Sequence, residues 1–425
     1  MKEAFLHFVW QHGHYASFDL KTDDGDELEI VHAGVHNHDA GPDFFQAQLR
    51  IGDTLWVGNI EVHLRSSDWT RHSHQEDPLY SNCILHVVWE NDAEVAGLDG
   101  RLIPTLSLHD KVDKNLLYRY QSLIGKHDEI ACASHFQRSD EFTRNFWMER
   151  MMVERLERRS AAIQRLLEGT TWHWEEAFYQ ALARNFGFHI NADAFERLAR
   201  SISLPTLLRL RDRLFSLEAL LFGQAGFLDK EFQDEYPRRL RDEYLFQCHR
   251  LRIRPLLNPG WKFLRLRPSN FPTLRIAQFA SLLHRHAPVF QQCMEAETLE
   301  ELLDVFDVGV STYWQTHLRP DVTTVPGPHR MGSHALQLLV INTVVPFLFL
   351  RGKRTADPSL CERSIQWLQQ LSPEKNRIVN AWESIGWKPN HAGESQGLLH
   401  LYQEYCSPKK CIHCRIGNSI IINHE

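Results

Sequence analysis

Glu61, His63 and Arg65 alternate along the stretch GNIEVHLRSSDW, with Ile60, Val62 and Leu64 between them. Residues i and i+2 of a strand project from one face, so this spacing aligns a carboxylate, an imidazole and a guanidinium. Upstream, Asp43 sits in GPDFFQAQLRIGDTLW, at the start of a second run with strand character. A tight hairpin through Gly52-Asp53 pairs residues 44–51 with 55–65 and lets Asp43 approach Glu61. The two carboxylates and the Val62 carbonyl then offer oxygen ligands to Mg²⁺ or Mn²⁺. Such an ion lowers the pKa of bound water and stabilises charge that develops on a phosphodiester. His63 could orient that water or bind a softer metal. Arg65 could present fixed positive charge to a phosphate. The plainer alternative is a solvated strand face, where Glu, His and Arg are ordinary occupants.

The neighbouring polar groups divide in the same way. Asn37 and Asp39, in HNHDAGPDF, suit a brace for the turn that leads to Asp43. His72 and His74 form a His-x-His pair that lacks a third ligand at fixed spacing, and Asp68 precedes them. His86, flanked by apolar residues in ILHVVW, reads as a hydrogen-bonded core histidine. Near the C-terminus, Cys406, Cys411 and Cys414 in YCSPKKCIHC form a Cys-x4-Cys-x2-Cys group. Thiolates at this spacing suit Zn²⁺ or an iron–sulfur cluster. Zinc calls for a fourth ligand, with His400, Cys361, Cys132 and Cys83 as candidates, and reduced thiols packed around a turn are the bland alternative.

The elements that must position these groups change character along the chain. Up to about residue 110, short β-rich runs alternate with Gly, Asp, Asn and Ser: LEIVHAG, FQAQLRIG, TLWVGNIEVHLR, CILHVVWEN and LIPTLSL. A short helix precedes them, since Phe5, Phe8 and Val9 share one helical face. From about 138 the period becomes helical, beginning with SDEFTRNFWMERMMVERLERRSAAIQRLLEG. The expected domains are 1–125 (α/β), 126–395 (helical) and 396–425 (a cysteine-rich tail). In the helical region between Lys230 and Arg285, many basic residues from Arg238 to Arg275 are interleaved with Tyr244, Trp261, Phe263 and Phe271. That mixture could face phosphates and unpaired bases, or could be the wet faces and core of amphipathic helices. Gly223-Gln-Ala-Gly226 ends an apolar helix and reads as a close-packed turn, because no Gly-Lys-Ser/Thr follows it.

Composition constrains the rest. The 425 residues, 43% apolar and 24% charged, describe a globular chain too long for one comfortable core. The net charge of -7 gives no global drive toward nucleic acid. No export signal and no uninterrupted membrane-length apolar run are evident, so the expectation is a cytoplasmic protein without a membrane partner. LQLLVINTVVPFLFL at 337–351 comes closest and reads as a buried helix. The eight cysteines are then thiols or metal ligands rather than disulfides.

The motifs GPDF…GNIEVHLRSSDW…LHVV, ALLFGQAGFL, WKFLRLRPSNFPTLRIAQFA and YCSPKKCIHCRIG resemble those of the bacterial DUF2851 family over nearly the whole chain. More remotely, Pro42-Asp43 followed by Glu61-Val62-His63 is similar to the PD-(D/E)XK nuclease signature, with His63 where those enzymes carry lysine. That second resemblance implies an α+β fold with an N-terminal restriction-endonuclease-like mixed sheet and flanking helices, ahead of the mainly α-helical domain and the tail. It implies metal-dependent phosphodiester hydrolysis with nucleic acid as the partner. Asp43 and Glu61 would bind the ion, and His63 and Arg65 would assist. The competing expectations are an inactive nucleic-acid-binding or scaffold protein that keeps the fold, and a metal-dependent hydrolase of another class.

Overall fold

A mixed sheet carries the N-terminal residues of interest. Its strands are β1 (Leu28–His32), β2 (Val35–His36), β3 (Phe44–Ile51), β4 (Thr54–Arg65), β5 (Cys83–Glu90) and β6 (Thr105–Ser107). The order is β1-β3-β4-β5-β6, with β2 also paired to β3. β3 and β4 form the antiparallel hairpin that turns at Gly52-Asp53, where Ile51 faces Thr54. β4 to β5 and β5 to β6 are parallel. A parallel neighbour requires a crossover rather than a tight turn. The β4–β5 crossover, residues 66–82, contains the short helix Asp68–Arg71 and carries His72 and His74. Helix α1 (Glu3–His12) buries Phe5, Leu6, Phe8, Val9 and Trp10 and packs on β4. The Trp10 indole N–H donates to the Ala33 carbonyl at 2.9 Å, and Phe5 stacks on Tyr120 of the helix α2 (Lys114–Gly125).

The computed structural model describes residues 1–37, 39–125, 128–257 and 259–422. They form two units, Met1–Trp147 with Leu401–Glu425, and Met148–His400. The division departs from the boundaries expected from sequence. Residue 126, the expected start of the helical domain, lies outside the described residues, and the first unit continues to Trp147. Residues from 401 onward belong to that first unit rather than to a separate tail, because the C-terminal helix Arg415–Ile422 packs on α2 and on the turn Ala133–Arg138. No local pattern could announce this, since the contacts span most of the chain.

The second unit is helical, with one small hairpin at His317–Arg319 and Val322–Thr323. The apolar run LPTLLRLRDRLFSLEALLFGQ divides into two helices, Leu204–Leu208 and Leu214–Gln224. The second piece is buried on every side, and Gly223 explains how it gets so close to its neighbour, the helix Glu235–Leu251. A Cβ on Gly223 would lie 2.1 Å from Tyr244 Cγ. Gly223→Ala is therefore expected to destabilise this unit by about 1–3 kcal/mol or more through overpacking. Urea denaturation checks this, and the loss should shrink in a Tyr244→Ala background.

The apolar stretch at 337–351 belongs to a continuous helix, Ser333–Thr355, that is long and apolar enough to cross a membrane by length and composition. The buried helix expected at 337–351 is thus part of a longer one. Pro346 does not interrupt it: a π-helical turn at Val340–Val344 precedes the proline, and the Asn342 carbonyl, four residues before it, accepts from the Asn185 side-chain amide at 3.2 Å instead. The helix is mostly buried within its own unit, with 61% of its most apolar window shielded.

Candidate functional site

Asp43 meets Glu61 because of an irregularity in β3. From Ile51 to Ala47 the hairpin keeps one register, Ile51 to Thr54 and Ala47 to Gly58, and it then shifts so that Phe44 faces Ile60. Gln46 in the shifted segment adopts φ of 55°, as a β-bulge permits. Continued without the bulge, the register would set Asp43 opposite Val62, on the wrong face. With it, Asp43 lies opposite Glu61, and cross-strand partners share a face. The Asp43 N–H donates to Glu61 Oε2 at 3.1 Å, and the Val62 N–H donates to Asp43 Oδ2 at 3.0 Å. Asn37 closes the turn before β3, its side-chain amide donating to the carbonyls of Asp39, Ala40 and Pro42.

Around this carboxylate pair the histidines converge. Glu61 Oε1 lies 3.2 Å from His74 Nε2 and 3.5 Å from His63 Nε2. His63 Nε2 is 3.1 Å from His72 Nδ1, and His63 Nδ1 is 2.9 Å from His86 Nε2. His63, His72 and His74 each offer a ring nitrogen within 4.8 Å of the others, which makes them a candidate metal triad. His63 thus places a third donor atom beside the His72-x-His74 pair, which in sequence had none at fixed spacing. His86 is fully buried and sits behind His63. With His63 Nδ1–H donating to His86, the Nε2 lone pair points toward Glu61 and His72, the orientation a metal ligand needs.

Two further residues belong to the group and were not singled out from sequence. His7 Nε2 lies 3.2 Å from Asp43 Oδ2. Glu3, one helical turn earlier, feels the charges of Asp43 and His7. Their i, i+4 spacing on an amphipathic helix was the available signal, but nothing in the chain order tied that helix face to Asp43.

Arg65 does not join the cluster. Its side chain is 64% exposed, with Nε 3.7 Å from Glu90 Oε2. β4 emerges from the sheet's covered region at its end, so alternation aligned Arg65 with His63 in direction but left it in solvent.

The electrostatics follow from burial. Glu61 is only 5% exposed. Desolvation first, and the Asp43 charge second, push its carboxyl far above the usual range. Burial, reinforced by His86, His74 and His72, pulls His63 down to about 2, and burial pulls His86 down to about 3. Burial also opposes the charged form of His7, but its hydrogen bond and ion pair with Asp43 outweigh this and raise its pKa. The interior therefore favours neutral imidazoles around a carboxylate that is costly as an anion. Neutral imidazole is the metal-binding form, and a cation would relieve the carboxylate.

A family model described as Protein of unknown function (DUF2851) matches residues 3–377. The chain belongs to this family. The match spans the whole histidine–carboxylate group, while Cys406, Cys411 and Cys414 lie beyond it. Neither a curated protein nor a solved structure matches this DUF2851 chain.

The basic stretch of the helical unit looks different once folded. Tyr244 is buried and donates to Gln224 Oε1, and the Trp261 indole donates to the Ala225 carbonyl. Phe263 packs edge-on against Phe271, with the Arg319 guanidinium over both rings. Arg275 is buried, bonded to Asn270 and Gln278. These groups are committed to packing. Arg238, Arg239, Arg250, Arg252, Arg254, Lys262, Arg265 and Arg267 remain exposed.

Proposed function

We propose that this protein is a divalent-metal-dependent nuclease that hydrolyses phosphodiester bonds in nucleic acid. The observation that carries the proposal is Asp43, at the entry to β3, set against Glu61 of the neighbouring antiparallel strand and interlocked with it through the Asp43 and Val62 amides. An N-terminal helix, an antiparallel trio of strands and a crossover to a parallel strand support a PD-(D/E)XK-like reading of the sheet. Asp43, Glu61 and the Val62 carbonyl would hold Mg²⁺ or Mn²⁺, which supplies an activated water and charge stabilisation at the phosphate. His7 orients Asp43 through its contact at 3.2 Å. His72, the exposed member of the triad, stands where it can take a proton from water. His63 occupies the lysine position but is buried and neutral, so it acts as an orienting group rather than a fixed charge. Arg65 points to Glu90 and contributes no charge to this centre. The exposed arginines of the helical unit would add phosphate affinity.

The histidine triad favours a second reading, a hydrolase of another class built on Zn²⁺ or another borderline metal. Incubation with linear and circular, single- and double-stranded DNA and RNA in Mg²⁺, Mn²⁺ or Zn²⁺ tests both. Cleavage in Mg²⁺ or Mn²⁺ supports the nuclease. Hydrolysis of simple esters that requires Zn²⁺ and is lost in His72→Ala supports the second reading. Salt-dependent binding without cleavage in any metal overturns both and leaves a binding protein.

A further inference from the structure

The C-terminal segment brings Cys406, Cys411 and Cys414 into the N-terminal unit, and there they meet Cys132. Cys132 immediately precedes the turn Ala133–Arg138, against which the helix Arg415–Ile422 packs. The segment is tied down on several sides. Lys409 Nζ donates to the Ile124 carbonyl at 2.6 Å, Arg119 Nε donates to the Ile421 carbonyl at 2.7 Å, and Tyr405 meets the Trp147 ring edge-on. Gly417 closes the Cys411–Cys414 loop onto the first turn of the helix, where a Cβ would lie 2.3 Å from the Cys411 carbonyl oxygen. No larger residue fits there.

Cys132, Cys411 and Cys414 are each 7% exposed and Cys406 is half-buried, and all are free thiols. Cys132 feels the charges of Cys414 and Cys411, and Cys406 feels those of Cys414, Cys132 and Cys411. The four sulfurs therefore share one small volume. The Ile416 and Gly417 amides and the Trp147 indole face the Cys414 sulfur. Lone buried cysteines behave as small apolar residues. Four that converge from segments far apart in sequence, with backbone amides favouring a thiolate, fill the ligand set of a tetrathiolate metal site. Among the described residues, donor atoms within 4.8 Å of one another in groups of three or more comprise His63, His72 and His74. No three of these sulfurs stand within 4.8 Å of one another, whereas the edges of a zinc tetrathiolate are about 3.8 Å. A cluster, whose own iron and sulfide atoms fill the centre, suits that spacing better.

We propose that Cys132, Cys406, Cys411 and Cys414 together form a tetrathiolate metal centre, with an iron–sulfur cluster as its expected occupant, that fastens the C-terminal segment to the N-terminal unit. Each thiol gives its proton to solvent on ligation. The proposal is independent of the hydrolytic reading, since none of these residues belongs to the Asp43–Glu61 group.

Anaerobic purification of the full chain from cells supplied with iron and zinc, followed by metal and acid-labile sulfide analysis and visible absorption, tests it. Iron with sulfide and broad visible absorbance is the expected result. Zinc at one per chain keeps the site but overturns the cluster. Neither metal overturns the site itself. Cys132→Ser should lose most of the metal, whereas Cys361→Ser, outside the group, should retain it. Retention of full metal by Cys132→Ser would remove Cys132 from the ligand set. Because the wild-type metal content is read directly, a poorly folding variant cannot mask the outcome. Chelation of the wild-type protein should also expose the segment after residue 400 to protease. Unchanged resistance in metal-free protein would refute the fastening role.

Discussion

Asp43→Ala and Glu61→Ala are each expected to reduce Mn²⁺-dependent cleavage of nucleic acid by about a thousandfold or more, with the protein still folded. Loss of one of two carboxylates removes charge stabilisation worth several kcal/mol in the transition state, and each 1.36 kcal/mol is about tenfold in rate. The substitutions differ in what else they disturb. Asp43→Ala leaves the Val62 amide without its acceptor, which costs about 1–3 kcal/mol of stability. Glu61→Gln removes only the charge and keeps an acceptor for the Asp43 amide. Glu61→Gln is therefore the cleaner variant, and it should lose turnover while its circular dichroism spectrum stays that of the parent. Arg65→Ala, exposed and paired with Glu90, should retain activity within about twofold. Cleavage that persists in Glu61→Gln would end the nuclease proposal.

The second large effect is on stability against pH, in the absence of divalent metal. The folded Glu61 carboxyl has a raised pKa, so the native state keeps a proton that the unfolded chain releases. Its stabilising contribution is complete below the ordinary carboxylate value of 4.5 and is lost as pH rises toward the raised value. His63 and His86 have depressed pKa values, so their contribution is complete above the ordinary 6.5 and is lost as pH falls toward about 2 and about 3. Between 4.5 and 6.5 the two histidines outweigh the one carboxyl, so this group of residues is most favourable to folding near pH 6.5. Above that point Glu61 and His7, whose pKa is also raised, set the slope, with Glu61 contributing about 1.4 kcal/mol per pH unit at its steepest. Glu61→Gln should therefore raise the metal-free Tm relative to wild type, by a margin that widens from pH 6.5 to 8 and reaches several degrees. Mn²⁺ should stabilise wild type more at pH 8 than at pH 6, and Glu61→Gln far less at both, since the ligand must lose its proton to bind. Paired thermal melts with and without chelator measure this. A constant offset between the two proteins across pH would show that Glu61 is not held as a costly anion.

The strands were legible in the sequence because period-2 alternation and the Gly52-Asp53 turn are local properties. TLWVGNIEVHLR coincides with β4 from end to end. Asn37 as the brace of the turn and His86 as a bonded core histidine were legible for the same reason. Helical period likewise marked the second half of the chain. It read the buried helix at 337–351 correctly but does not mark the break after Leu208, which depends on a few backbone angles and on the packing around them.

The candidate site was only half legible. Sequence by itself determined the residue types and the facing of Glu61 and His63, because alternation along one strand is fixed by backbone geometry. It could not determine that a bulge at Gln46 rotates Asp43 onto that face, since a single extra residue reverses the side of every residue beyond it. Nor could it show that the β4–β5 crossover returns His72 and His74 to His63, or that Glu3 and His7 descend from the first helix. The same limit explains Cys132. The Cys406–Cys414 spacing was visible as a local pattern, but Cys132 lies far upstream, and only packing of the C-terminal helix on the turn after it brings the two segments together. Local periodicity is written in neighbouring residues, whereas convergence of distant ones depends on how the whole unit buries its apolar surface. Tertiary structure alone decided that part.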